Sequence, residues 1–156
     1  MRYIDLDGVL ADLEYAMWQK SKTCIDNPVE FLEICECRCN EVFRDSPLIE
    51  SNLNLLYGDY RILTSLPNMD RFFAVNGYTP LAQKAYDILR YNKLLWCQSI
   101  GIPRENIIIL TDRSQKKWYS NPNHTLYDDN AKTIEEWQKG GGNGVLIPYE
   151  RKFLEV

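Results

Sequence analysis

Asp5-Leu6-Asp7-Gly8-Val9-Leu10-Ala11-Asp12 is the stretch on which the reading of this chain turns. Tyr3 to Leu6 has the apolar, β-forming character of a first strand, and the chain breaks into a turn at Gly8. Side chains two apart share a face along a strand. Where the strand ends and the turn begins, Asp5 and Asp7 can point together into one crevice. Open α/β sheets bind their ligands in such crevices, at the carboxyl ends of the strands. Two carboxylates held this close repel unless a cation sits between them or one keeps a proton. One oxygen is then free to attack, and its neighbour can give and take a proton. The alternative is that Asp and Gly are here as ordinary turn formers. A calcium loop is excluded, because its closing Glu would fall at position 16, which is Ala16.

Outward from this stretch, strands and helices alternate. Asp12 caps a helix running through Tyr15 and Trp18, and Asn27-Pro28-Val29-Glu30 opens another, with Asn as cap and Pro at the first position. Less regular helical sequence continues to about Leu56. Tyr60 to Leu63 reads as the second strand. Thr79-Pro80 starts a long helix that ends before Gly101. Asn106 to Leu110 is a continuous apolar run of the buried parallel type. A short helix at about 114–120, a strand at Thr125 to Tyr127, a helix from Ala131 to Lys139 and a strand from Gly144 to Ile147 complete the pattern. Gly140-Gly141-Gly142 follows a helix and lacks the Gly-Lys-Ser/Thr ending of a phosphate loop, so it reads as a helix stop. Alternation of this kind predicts an α/β fold around a parallel sheet.

Four segments, in order, resemble the motifs of the haloacid-dehalogenase (HAD) superfamily of phosphotransferases. They are Asp5-Leu6-Asp7-Gly8-Val9-Leu10-Ala11-Asp12, Arg61-Ile62-Leu63-Thr64-Ser65, Lys116-Lys117 and Leu126-Tyr127-Asp128-Asp129. Within that superfamily they are most similar to the 5′(3′)-deoxyribonucleotidases and their small relatives. The resemblance implies a Rossmann-like three-layer core formed by residues 1–12 and 59–156. A small helical cap, residues 13–58, would be inserted after the first strand.

The same resemblance implies a site. Asp5 would be the nucleophile and Asp7 the acid and base. Thr64 would bond a phosphoryl oxygen, with Ser65 beside it. Magnesium would be held by Asp5, the backbone carbonyl of Asp7 and Asp128, with Asp129 holding a metal-bound water. Lys116 or Lys117 would reach the phosphoryl group. Lys116 is preferred, on the expectation that Trp118 and Tyr119 set the buried side of their helix. Lys93 matches a lysine that touches the substrate phosphate, with a solvated helix lysine as the alternative. Trp18 and Phe31, with Tyr15, are candidates to stack on a base or sugar, against simple core packing.

Bulk properties narrow the partners. The 156 residues suffice for one domain, and 45% hydrophobic with 26% charged residues is ordinary for a globular chain. The net charge of −4 argues against wrapping duplex nucleic acid, which needs clustered Lys and Arg. No apolar run approaches the roughly 18 residues of a membrane span. Residue 5 leaves no room ahead of the motif for an apolar leader, so a cytoplasmic protein is expected. Cys35-Glu36-Cys37-Arg38-Cys39 lacks zinc-finger spacing. Cys35 and Cys39 instead fall on an apolar stripe with Phe31, Leu32, Val42 and Phe43.

Three functions from different classes follow. The first is a magnesium-dependent phosphatase acting on a small phosphomonoester, above all a deoxyribonucleotide. The second is a phosphatase acting on nucleic-acid ends or another phosphorylated molecule. The third is a non-catalytic phosphate-binding domain.

Overall fold

A computed structural model describes residues 1–21, 28–37 and 42–155. Five short strands form one all-parallel sheet: β1 (Arg2–Ile4), β2 (Tyr60–Ser65), β3 (Ile107–Leu110), β4 (Thr125–Asp128) and β5 (Asn143–Leu146). Their order is β3-β2-β1-β4-β5. The chain steps outward from β1 through β2 to β3, then returns to the other side of β1 for β4 and β5. The sheet's topological switch therefore lies between β1 and β4, where a crevice opens beyond the strand ends. Ile4 sits opposite Ile62 of β2 and Tyr127 of β4. The Asp5 amide bonds the Tyr127 carbonyl at 2.9 Å, which carries the pairing one residue into the motif.

Alternation along the strands builds two apolar layers. Ile4 and Ile62 face Trp96 and Cys97 of the long helix, whereas Tyr3, Leu63 and Leu126 face Ile134 and Trp137. Helices thus cover both faces, as the alternating pattern predicts. Along the chain they are α1 (Leu13–Ser21), α2 (Pro28–Cys37), α3 (Met69–Asn76), α4 (Pro80–Ser99) and α5 (Ala131–Lys139). Thr79 caps α4 by accepting from the Ala82 amide at 3.1 Å, and Asn130 caps α5 through the Thr133 amide at 3.0 Å. Gly140 to Gly142 do more than stop α5. A Cβ on Gly142 would lie 2.3 Å from the Trp137 indole nitrogen, so the turn passes too close to this buried ring for any side chain.

Helix α3 is absent from the sequence reading. Its signal was present: Asn68 accepts from the Arg71 amide at 2.9 Å as cap, Phe72 and Phe73 turn inward, and Gly77 ends the helix with φ at +87°. A second correction concerns the sequence before Leu56. Among the described residues after Val42, only a 3₁₀ turn at Glu50–Leu55 is helical there. Pro47 cannot sit inside a helix, and its carbonyl instead accepts from the Asp12 amide at 2.8 Å. The Ile49 amide bonds Leu10 at 2.7 Å, so this segment braces the motif loop.

The inserted helices share one apolar cluster with the helices after β2. Leu13 and Met17 of α1, Leu32 and Cys35 of α2, Phe72 and Phe73 of α3, and Ala82, Ala85, Tyr86 and Leu89 of α4 all belong to it, as do Val42 and Phe43. Asn27 and Cys39, named above as cap and stripe residues, lie outside the described residues. Among the described residues, no helix is long and apolar enough to cross a membrane.

Candidate functional site

The motif leaves β1 as a tight loop. The Leu10 and Ala11 amides both return to the Leu6 carbonyl at 2.9 Å, and the Gly8 amide bonds Ala11 at 2.9 Å. Gly8 adopts φ of +82°, a region that side chains disfavour, and a Cβ there would lie 2.1 Å from the Asp129 carboxylate. Glycine is required twice over. This loop brings Asp5 and Asp7 to the mouth of the switch-point crevice, where Thr64 at the end of β2 and Asp128 at the end of β4 join them.

Two buried lysines organise these groups. Lys116 Nζ donates to Asp5 Oδ1 and to Asp128 Oδ2, each at 2.7 Å. Lys93 Nζ donates to Asp7 Oδ2 at 2.5 Å, to Thr64 Oγ1 at 3.0 Å and to the Ser65 carbonyl at 2.7 Å. Lys116 rises from a 3₁₀ turn (Arg113–Tyr119) fixed at its start by a capping box. The Ser114 amide bonds Asp112 Oδ2 at 3.1 Å, and Gln115 Oε1 accepts from the Asp112 amide at 3.2 Å. Arg113 ties the same turn to α5 through Thr133 at 2.9 Å and Glu136 at 3.0 Å.

Lys117 points into solvent and takes no part. Of the two aromatics expected to mark the buried side of this turn, Tyr119 packs on Tyr3, but Trp118 is 71% exposed. Lys93 is not a solvated helix lysine, being only 1% exposed. The sequence did carry the clue. Leu89, Lys93, Trp96 and Cys97 recur at spacings of three and four, which sets this lysine on the buried stripe of α4.

Asp5, Asp128 and Asp129 each offer an oxygen, and these oxygens lie within 4.8 Å of one another. An all-carboxylate donor set suits a hard divalent cation such as magnesium. Lys116 already neutralises part of Asp5 and Asp128, while the remaining Asp128 oxygen accepts from the Asn130 amide at 2.9 Å. Asp129 takes no hydrogen bond among the described residues. The Asp7 side chain bonds Lys93 and is not one of this trio. Burial, then the neighbouring Asp128, raises the Asp5 carboxyl to about 6. Burial, then Asp5 and Asp128, raises Asp129 to about 8. Burial also raises Asp7, against the pull of Lys93. Lys116 loses by burial but gains more from Asp5 and Asp128, and ends above the ordinary lysine value.

Above these groups lies a cavity of about 480 Å³. Its lining carries six carboxylates (Asp5, Asp7, Glu14, Asp112, Asp128 and Asp129) against three cations (Arg71, Arg113 and Lys116). An anionic ligand would meet net repulsion unless a cation accompanied it. Phe31 lines the cavity, as does Phe43, which the sequence reading left in the core. Trp18 and Tyr15, the other candidates to stack on a base or sugar, do not line it. Capping at Asp12 turns Leu13, Ala16 and Met17 inward, leaving Tyr15 and Trp18 on the flank where Phe153 packs at 5.7 and 5.8 Å. No family model and no curated protein matches the chain.

The raised acids have a thermodynamic consequence. Between the unfolded carboxyl value near 4 and the folded value near 8 of Asp129, the native protein binds more protons than the unfolded chain. Stability contributed by the protonated form is therefore lost as pH rises through that window. With a chelator present, the urea midpoint is expected to fall between pH 5 and pH 8, and to fall less in Asp129→Asn. Magnesium is expected to restore it at pH 8. Identical pH profiles for the two proteins in chelator would contradict this electrostatic picture.

Proposed function

We propose that the chain is a magnesium-dependent phosphomonoester hydrolase of the HAD type, working through an aspartyl-phosphate on Asp5. The observation that carries this reading is the convergence of four groups at three neighbouring strand ends: a lysine-bridged pair, Asp5 and Asp128, with a second acid, Asp7, and a strand-end hydroxyl, Thr64. A phosphate-binding domain would need the lysines and the hydroxyl but has no use for two acids at i and i+2. The motif resemblance adds the expectation that the preferred substrate is a 5′(3′)-deoxyribonucleotide. Phe31 and Phe43 in the cavity wall support a leaving group with an aromatic face.

Each residue has a chemical task in this reading. Asp5 attacks phosphorus with the oxygen that Lys116 does not hold, and the P–O bond to the leaving group breaks as the acyl phosphate forms. Asp7 donates its proton to the departing alkoxide. It then takes a proton from the water that attacks the acyl phosphate, releasing inorganic phosphate and restoring Asp5. Lys93 holds Asp7 by Oδ2 alone, which leaves Oδ1 to carry the transferred proton. Thr64 accepts from Lys93, so its own hydroxyl hydrogen is free to donate to a phosphoryl oxygen. Lys116 keeps Asp5 oriented and offsets charge as the phosphoryl group approaches. Magnesium bound by Asp5, Asp128 and Asp129 would supply the positive charge that the acidic lining lacks.

Turnover of p-nitrophenyl phosphate is expected with magnesium and is expected to vanish with chelator. Across a substrate panel, deoxyribonucleoside monophosphates should exceed 3′-phosphorylated oligonucleotides in kcat/KM. No turnover with any ester would refute the hydrolase, and the reverse ranking would move the substrate to nucleic-acid ends.

The two adjacent lysines give a sharper contrast. Lys116→Ala is expected to lower kcat by at least about a hundredfold, roughly 2.7 kcal/mol of barrier. Lys117→Ala, with its side chain in solvent, is expected to change kcat less than about tenfold. Equal, mild losses would show that the buried bridge is not part of the chemistry.

A further inference from the structure

Beyond β5, the chain turns back along the flank of α1, and every second residue holds on to that helix. The Tyr149 hydroxyl donates to Asp12 Oδ1, the same oxygen that caps α1 by accepting from the Tyr15 amide at 3.1 Å. Arg151 grips Glu14 in a two-pronged ion pair, Nε to Oε2 at 3.0 Å and Nη2 to Oε1 at 2.8 Å. Such paired geometry fixes direction as well as distance. Phe153 sets its ring edge-on to Tyr15 at 5.7 Å and tilted on Trp18 at 5.8 Å. The partners are about 137 positions apart in sequence, so these contacts close the end of the fold onto the start of the inserted segment.

Two of the residues involved, Tyr149 and Glu14, also line the cavity above Asp5. The segment therefore fastens α1 and at the same time supplies part of the cavity wall. Nothing in the phosphoryl chemistry uses either residue, and neither carries a motif of the resemblance. We infer that segment 148–153 is a strap that selects the leaving group admitted to Asp5, with Tyr149 as the specificity-determining side chain and Arg151 and Phe153 as its anchors. The inference rests on the phosphatase reading for its substrate. A small leaving group needs only the carboxylates, Lys116 and Thr64 at the cavity floor. A nucleoside extends to the wall, where the Tyr149 ring and the Phe31 and Phe43 rings bound the space. Freeing the strap removes one side of that enclosure and leaves the floor in place.

The test compares R151A/F153A and Tyr149→Ala with the wild-type chain, using thymidine 5′-monophosphate and acetyl phosphate as substrates. Acrylamide quenching of tryptophan fluorescence, alongside a Trp18→Phe control that isolates Trp18, reports whether the strap has left α1. The expected result is stronger Trp18 quenching in R151A/F153A. The ratio of kcat/KM for the nucleotide to that for acetyl phosphate should fall at least tenfold in both variants, chiefly through KM for the nucleotide. An unchanged ratio in Tyr149→Ala overturns the specificity role, even if R151A/F153A fails to fold. Unchanged Trp18 quenching in a folded R151A/F153A overturns the anchoring. If the wild-type chain hydrolyses neither substrate, the phosphatase reading fails. The strap is then decided by binding of thymidine 5′-monophosphate: affinity at least tenfold weaker in Tyr149→Ala supports it, and equal affinity or no binding to the wild type overturns it.

Discussion

Asp5 and Asp128 end adjacent strands with their carboxylates buried, and a single ammonium, Lys116, lies 2.7 Å from both. Two carboxylates at this depth cannot stay ionised side by side without compensation. Much of the surrounding structure serves to put that ammonium in place. Asp112 and Gln115 fix the start of the turn that carries it, and Arg113 bolts the turn to α5. Asn130 both supports Asp128 and caps α5. Removing one partner from such a buried group typically costs 3–5 kcal/mol, because it strands the others. The bridge thus links stability to the site: the groups best suited to chemistry are also those the fold can least easily lose.

A second lysine from the other layer completes the arrangement. Lys93 approaches from α4, packed within the side of the sheet that holds Trp96 and Cys97, and meets Asp7, Thr64 and Ser65. Asp5 and Asp7 therefore each meet a different lysine, delivered from a different direction. This separation sets up unequal carboxyls. Asp5 shares its cation with Asp128, whereas Asp7 has Lys93 to itself among the carboxylates. Inequality of that sort is what a nucleophile and a proton donor require. The helices between β1 and β2 share an apolar cluster with α3 and α4, and their Leu13, Glu14 and Phe31 line the cavity beside both acids.

Much of this was legible in the sequence because it depends on where strands end. Asp5, Thr64 and Asp128 follow apolar runs, so their places at the carboxyl edge of a parallel sheet could be read directly. The caps Asp12, Thr79 and Asn130 and the Gly140 stop are equally local signals. Side chains that travel far were harder. Lys93 was visible as a charge on the apolar stripe of α4, but the partners it meets, Asp7, Thr64 and Ser65, come from the loop after β1 and from β2. Trp18 is the reverse case. Its aromatic character fits either a ligand or simple packing, and the partner it meets, Phe153, is 135 residues away and leaves no local mark. Tyr149, in irregular chain after the last strand, gave no periodic signal at all. Helix α3 has a local cap and a Phe72–Phe73 pair, but it is too short, at eight residues, to show a clear helical period between β2 and Thr79.

The central claim is that Asp5 itself forms the bond to phosphorus. Its most direct measurement is mass spectrometry of the protein quenched in acid during turnover of p-nitrophenyl phosphate with magnesium. The account predicts one added phosphoryl group on the peptide that contains Asp5, removable by hydroxylamine as an acyl phosphate should be, and absent from Asp5→Asn. Steady turnover with no phosphorylated peptide under any quench, or with the phosphoryl group on another residue, would contradict it.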